Sequence, residues 1–577
     1  MCDKLVYDLS TEIEGSPNIF VKKDWINILD DMNGNYGSNQ SVISTSQLSN
    51  SNKYMSYREA YLAVPMLLTL ASTTPADNDQ FLPETAGTSA DYAFGLKNWF
   101  GSIVHSITCE YNGVTVIQQT PLINMWNTFK LLTSLSWNDV LVNSASLGFY
   151  PDDALSFSFE GAAALSGVGT CNNTNYVTAN DGFDVDGAFN KFKSRSGNRG
   201  FRERQSYINY DTAGVSGSGT YTDLLTAASA AQLWKSYVSQ KRNGVDNAAA
   251  GVIQISVQSQ IMLKHLHSFF ASMPLLKGAF LKITLNLNNC STSFSTAGAG
   301  GVMSLTSVAN SVGGVNPIMI ASRIADNGGV CLGPTTYRAN VSVGNTCLDS
   351  ALTSLVGGVG TGQVSRNVFL YIPAYTFSPT FESAYLSNPV KQISYTDVYQ
   401  YQITNVPAGG TINSLLTNGI AGLKSSLLIP FYSSAVAGTG LPLGVPVYQS
   451  PFDDAGTGTT SPLCLLTNYN VVVSGQNMIY NTQSRAFEDF MNQLVGQNAV
   501  NGNLTDGLTS GLISQQSYEM KYCYHYCDIS RMLPIEESVP KAVQIIGQNL
   551  SAKAIDLICF LEYGVSISVD VLSGSRV

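Results

Sequence analysis

The residues able to do chemistry are few and scattered. The chain of 577 residues carries four histidines. His265 and His267 are spaced i, i+2, which does not put two ligands on one helix face. His105 and His525 fall in expected strands. No Asp or Glu pattern turns any of the four into a zinc site or a nucleophile–base–acid arrangement. The ten cysteines contain no C-x-x-C and no zinc spacing, so reduced, buried thiols are expected. Cys523 and Cys527 share one face of an expected strand, which reads as packing. The Gly-rich run from Gly357 to Gln363 is not followed by Gly-Lys-Ser/Thr and is no phosphate loop. Glycoside hydrolysis needs two converging carboxylates. Glu488, Asp489, Glu536 and Glu537 read instead as helix and loop surface.

One basic cluster stands out in KFKSRSGNRGFRER: Lys191, Lys193, Arg195, Arg199, Arg202 and Arg204. It reads either as a solvated loop or a contact with acidic patches on neighbouring subunits, or as a contact with nucleic-acid phosphates. A net charge of −10 and the interrupting Glu203 favour the first reading. The expectation is therefore a protein with no catalytic, metal-binding or cofactor-binding residues, and no enzyme.

The elements around these residues are mostly strands. From Ser102 to Tyr111 the sequence alternates, with Ile103, His105, Ile107, Cys109 and Tyr111 on one face. Asn112-Gly113 favours the type I′ turn of a hairpin, and Val114 to Gln119 is the return strand. Thr120 is placed to cap a helix with Pro121 at its first position. Leu122, Met125, Trp126 and Phe129 give that helix one apolar stripe. The same unit recurs later: strand Leu465 to Val473, turn Ser474-Gly475, strand Gln476 to Tyr480, a cap at Ser484, and the stripe Phe487, Phe490, Met491, Leu494. Recurrence in order and nearly in register implies two copies of one fold.

Bulk composition agrees. Charged residues are 12%, about half of the usual share of roughly 25%. Gly numbers 51, Tyr 29 and Phe 24, a composition of strands, turns and polar uncharged surface. The length suits more than one domain. No signal peptide is visible at the start, and the longest apolar stretch, Ala60 to Ala71, is too short to span a bilayer. Synthesis and assembly in a cell interior are expected.

The expected organisation is an N-terminal arm over 1–35, a first β-domain over 36–290 with a long loop insertion at 161–250, a linker over 291–316, and a second β-domain over 317–577 with a loop insertion at 433–458. Leu147 to Phe159 reads as a strand pair, Ile412 to Ser426 as a turn and short helix, and Tyr518 to Asp528 as a strand. Two all-β domains of these lengths fit tandem eight-stranded jelly-roll sandwiches.

The segments HSITCEYNGVTVIQQTPLINMWNTFKLLTS and LKHLHSFFASMPLLKGAFLKITLNLN resemble the first jelly roll of major capsid proteins from polinton-like viruses and virophages. In the second half SNPVKQISYTDV, GLKSSLLIPFYS, NYNVVVSGQN and SRAFEDFMNQL continue the resemblance, which runs from about Tyr57 to Ser573. It implies a double jelly roll that forms homotrimers of pseudo-hexagonal outline. These capsomers would tile an icosahedral shell around double-stranded DNA, meeting neighbouring capsomers, penton and other minor capsid proteins in a virion assembled inside the host cell. The two loop insertions would be outward towers or intersubunit clasps. The alternative is a secreted or surface β-sandwich adhesin or carbohydrate-binding protein, which would be expected to carry a signal peptide or a calcium-binding acidic cluster.

Overall fold

In the computed structural model the described residues are 19–49, 51–72, 92–151, 170–172, 252–296, 302–322, 335–344, 348, 367–433, 445–451, 464, 466–479, 487–496, 511–520, 522, 524–530, 536, 538–551 and 553–577. The first part of the chain supplies β1 (Phe20–Leu29), β2 (Gln40–Ser44), β3 (Tyr54–Met55), β4 (Tyr61–Ser72), β5 (Tyr92–Leu96), β6 (Val104–Tyr111), β7 (Val114–Ile117), β8 (Thr170–Asn172), β9 (Val252–Met262), β10 (Leu281–Leu287), β11 (Cys290–Thr296), β12 (Val302–Asn310), β13 (Ile318–Ser322), β14 (Thr335–Val343) and β15 (Phe369–Phe377). The rest supplies β16 (Val390–Val406), β17 (Thr411–Ile420), β18 (Leu423–Tyr432), β19 (Leu466–Val473), β20 (Gln476–Asn477), β21 (His525–Asp528), β22 (Lys541–Asn549) and β23 (Ile555–Asp570).

The pairing order defines the fold. In the second half one sheet runs β16-β23-β18-β21 and the other β17-β22-β19-β20. In the first half β1-β15-β4-β9 matches the former order and β2-β10-β6-β7 the latter. Each set of eight strands, taken in chain order, wraps in the same way, and this is the jelly-roll sandwich twice over. All these pairings are antiparallel. Apolar side chains fill each interior: Leu62, Val64, Ile283, Leu285 and Ile372 in the first roll, Leu428, Val543, Ile545, Leu557 and Leu561 in the second.

Three expectations about organisation are corrected. The arm expected over 1–35 contributes β1, whose residues pair with β15 from Phe20↔Phe377 to Leu29↔Phe369. The linker expected over 291–316 is largely strand: β11 and β12 form a hairpin, and β11 pairs with β14. The second domain does not begin near 317, because β13 pairs with β5, β14 with β4, and β15 closes the first roll. The helix Pro379–Leu386 then leads to the second roll. Pairing between segments distant in the chain thus makes strands of what was expected to be a linker.

Both hairpins close as their sequences dictate. Asn112 and Gly113 have φ of 47° and 81°, Ser474 and Gly475 of 49° and 84°, the double positive φ of a type I′ turn. The helix after the first hairpin is α1 (Ile123–Ser134). Thr120 is not its cap; Leu122 occupies that position in the left-handed region with no side-chain cap, and the Thr120 hydroxyl is used elsewhere. Trp137–Leu147 forms α2, opened by a Ser136–Asp139 capping box and ended by Gly148 at φ 62°, so Leu147 closes a helix rather than opening a strand. Ile412 to Ser426 is two strands turning at Gly422, φ 70°. Within Tyr518 to Asp528, only His525–Asp528 is strand, and Gln515–Met520 is helical.

Strand direction sorts the connections between two ends of the molecule. The tight turns after β6, β17 and β19 lie at one end, with the starts of β1 and β16 and the finish of β23. The long connections β7 to β9 and β18 to β19 leave from the opposite end, as do β4 to β6 and β10 to β15. The expected insertions 161–250 and 433–458 belong to these long connections; apart from 170–172, 433 and 445–451 they lie outside the described residues.

Candidate assembly interfaces

The two rolls stand side by side and point the same way. At the tight-turn end Asn112 Nδ2 donates to the Gly574 carbonyl at 2.6 Å, and Lys277 N–H to the Val571 carbonyl at 3.1 Å. At the long-loop end Asn316 N–H donates to the Tyr448 carbonyl at 3.1 Å, and Lys97, fully buried, donates to the Ser450 carbonyl.

Between these ends runs a continuous seam. Its apolar part is α1, which lies on the outer face of the second roll's β16-β23-β18-β21 sheet. Trp126 packs on Phe560 at 6.0 Å between ring centroids, and Phe129 on Tyr524 and Tyr526 at 5.1 and 5.4 Å. Its polar part is centred on Asp397, 2% exposed. Oδ1 accepts from Val398 N–H (2.8 Å) and His267 Nε2 (3.2 Å); Oδ2 accepts from Gln118 N–H and Tyr563 OH (both 3.3 Å). His267 and Gln118 belong to the first roll, Val398 and Tyr563 to the second. His267 Nδ1 accepts from Phe269 N–H at 3.2 Å, which assigns its proton to Nε2. Thr120 Oγ1 donates to the Val398 carbonyl (2.7 Å) and Tyr395 OH to the Val116 carbonyl (2.5 Å). That is where the expected helix cap is spent.

A second buried carboxylate, Glu562, faces Lys130 of α1 at 3.3 Å and accepts from Ser425 Oγ at 2.7 Å. Burial acts to raise its pKa, but the Lys130 charge and hydrogen bonds from Ser425 and Thr396 prevail and hold it below the ordinary glutamate value of 4.5. A carboxylate depressed in the folded state contributes stability above its unfolded pKa and loses it as pH falls through the folded one. The gap in urea midpoint between the parent and Glu562→Gln is therefore expected to be full at neutral pH and to close as pH drops below 4.5. Urea titrations at several acid pH values check this, and a gap that stays constant down to strong acid contradicts it.

The first roll's equivalent outer face presents aromatic side chains. Tyr61 stacks on Tyr371 at 5.1 Å, Trp25 tilts against Tyr61 at 5.7 Å, and Lys23 lies over Trp25 at 5.5 Å and pairs with Glu59 at 2.7 Å. Trp25 is 51% exposed. A large exposed aromatic group on a sheet face is a feature of interaction sites. Lys23 and Trp25 belong to β1, within the segment expected to be an N-terminal arm.

The other residues of chemical interest do not converge. His105 is buried in β6 and lowered to about 4 by that burial. His265 is lowered to about 4 by burial and the Lys264 charge. His525 packs edge-on to Tyr469 at 4.9 Å. Cys109, Cys290, Cys464, Cys527 and Cys559 are free, buried thiols; burial pushes Cys290 up to about 12. Cys523 and Glu537 lie outside the described residues. Glu488 and Asp489 open the helix Phe487–Gly496 on the β20 to β21 connection, whereas Glu536 lies on the β21 to β22 connection. Among the described residues no group of three or more His, Cys, Asp or Glu is placed to hold a metal ion, and no helix is long and apolar enough to cross a membrane. Lys191, Lys193, Arg195, Arg199, Arg202 and Arg204 all fall outside the described residues. What sequence reading missed is Asp397 and Glu562, single acidic residues in strands whose only signal is a charge inside an otherwise apolar or aromatic run.

No family model and no curated protein matches this chain. Among solved structures, the chain is similar to one in the cryo-EM structure of the Sputnik virophage, with 13% identity and a TM-score of 0.48 over 99% of this chain and 91% of that one. It is also similar to the Faustovirus major capsid protein, with 9% identity and a TM-score of 0.41 over 98% and 93% of the two chains. For the mavirus major capsid protein the values are 8%, 0.39, 99% and 92%.

Proposed function

We propose that this chain is a viral major capsid protein, and that three copies close into a ring of six jelly rolls. The observation that carries the reading is the seam: two complete rolls in one chain, side by side, pointing the same way and joined through the outer face of one sheet. In the second roll that face is occupied by α1 of the first. In the first roll the corresponding face presents Trp25, Tyr61 and Tyr371. If the second roll of a neighbouring copy covers it in a similar way, each contact is heterologous, and such contacts form closed rings when the rotation closes. Six rolls, two per chain, require three chains.

Such rings would tile a shell, with many weak lateral contacts adding up through multivalency. The insertions 161–250 and 433–458 leave from the long-loop end, where they would stand as towers or clasp neighbours. On this reading the partners are neighbouring capsomers, penton and minor capsid proteins, and the site of action is a virion enclosing double-stranded DNA. The cluster Lys191 to Arg204 is proposed as an intersubunit or nucleic-acid contact.

The test is native mass by light scattering, with imaging of the same peak. The expected mass is three times the 61.8 kDa chain, with hexagonal outlines. Trp25→Glu is expected to reduce that mass to one chain while leaving the far-UV circular dichroism spectrum unchanged. A parent protein that stays monomeric at all concentrations overturns the reading. A Trp25→Glu variant that keeps the full mass overturns the assignment of this face.

A further inference from the structure

Helix α2 turns an apolar face away from the fold. Val140, Ser144 and Leu147, at i, i+4 and i+7, are buried, and the helix packs against β9. Beside that buried side Trp137 is 63% exposed, Leu141 83% and Val142 68%. Leu141 is the most exposed large apolar side chain among the described residues. The single charge on α2, Asp139, is engaged by Ser136 in the capping box. Both ends of the helix are capped, so the exposure is not that of a fraying terminus. A helix surface that meets water is ordinarily polar, and a contiguous exposed apolar patch marks an interaction site.

The sequence holds a stripe that matches it. Leu224, Ala227, Ala231, Trp234 and Val238 are spaced i, i+3, i+7, i+10 and i+14, the a and d positions of a helix that packs on another. Thr222-Asp223 stands before them, and Lys241-Arg242 and Gly244 follow, which are start and stop signals of a helix. Ser229, Gln232, Ser236 and Ser239 fall on the other side, polar and uncharged. Residues 222–242 lie outside the described residues, within the expected insertion 161–250. Val252, the first residue of β9, comes ten positions after Arg242, so the segment ends within about 36 Å of the strand on which α2 packs.

We infer that residues 222–242 dock as a helix on the exposed face of α2 in their own chain. The stripe is small at its centre, where Ala227 and Ala231 let a second helix approach closely, and α2 supplies the large side chains Trp137 and Leu141 to fill that contact. Neither face carries a charge, so none is stripped of water when they meet. The short tether to β9 keeps the segment at millimolar effective concentration beside its target. A second copy of α2 is the weaker occupant, because it would set the large side chains of one face against the same large side chains and has no tether. The inference does not depend on the proposed ring, since it concerns one chain.

The experiment is maleimide labelling of single cysteines in the full chain. Leu141→Cys is expected to label about tenfold more slowly than Asn143→Cys, which lies across the same helix and is also exposed. Ala231→Asp puts a charge into the stripe and is expected to bring Leu141→Cys up to the rate of that control. Gln232→Asp, on the polar side of the same segment, is expected to leave it slow. Leu141→Cys is also paired in turn with Ala227→Cys, Ala228→Cys and Ala231→Cys. Under a mild oxidant at least one pair is expected to form a disulfide within a single chain, identified by the mass of the linked peptides. Equal labelling at positions 141 and 143 overturns the inference, because the face is then bare. Protection that Ala231→Asp does not lift overturns it as well, because another group then covers α2. Disulfides that join only separate chains, or none in any of the three pairs, also overturn it. Native mass enters none of these readouts, so the docking and the ring stand or fall separately.

Discussion

Asp397→Ala is expected to destabilise the folded chain by about 3–5 kcal/mol, seen as a large fall in the urea midpoint. The carboxylate is 2% exposed and accepts from four donors, two on each roll. Alanine leaves His267 Nε2–H, Gln118 N–H, Val398 N–H and Tyr563 OH without this acceptor. A buried donor left unsatisfied costs about 1–3 kcal/mol, so more than one orphan is needed to reach the expected loss. Asp397→Asn separates charge from shape. Its amide keeps one acceptor but turns an NH2 toward two donors, so it should recover only a minor part of the loss. If both variants unfold at the parent midpoint, the Asp397 cluster is not what couples the rolls.

The second large effect is expected at Phe129, which is fully buried between Trp126 of its own helix and Tyr524 and Tyr526 of the second roll. Phe129→Ala removes most of the ring and opens a cavity in the seam, at a cost of about 3–5 kcal/mol. The loss falls on the contact between rolls rather than on either interior. Unfolding followed by tryptophan fluorescence and by far-UV circular dichroism should therefore cease to coincide, because each roll then unfolds more nearly by itself. Leu285→Ala, inside the first roll, serves as the control. It should lower stability while leaving the two signals coincident. Coincident transitions in Phe129→Ala would mean that the rolls remain one cooperative unit without this contact.

Local chemistry made much of this protein legible in its sequence. Asn112-Gly113 and Ser474-Gly475 close their hairpins because these residues tolerate the two positive φ angles of the turn. The stripe through Met125, Trp126 and Phe129 is buried as its spacing dictates. The alternation in Leu281–Leu287 buries Leu281, Ile283, Leu285 and Leu287. Recurrence of the hairpin-helix unit was enough to imply two copies of one fold.

Tertiary structure alone decided which strands belong together. β1 and β15 lie far apart in the chain and pair throughout their length, and a strand's own sequence does not name its partner. For that reason β11 and β12 fall largely within the expected linker 291–316, and β15, which closes the first roll, within the expected second domain. Thr120 shows the same limit on a smaller scale. Its type and position fit a helix cap, but its hydroxyl donates to the Val398 carbonyl across the seam. Asp397 and Glu562 likewise draw His267, Gln118 and Lys130 from the other roll. Turns and periodicity depend on neighbouring residues and so are written locally. The pairing of sheets and the burial of a charge depend on surfaces that exist only once distant segments have met.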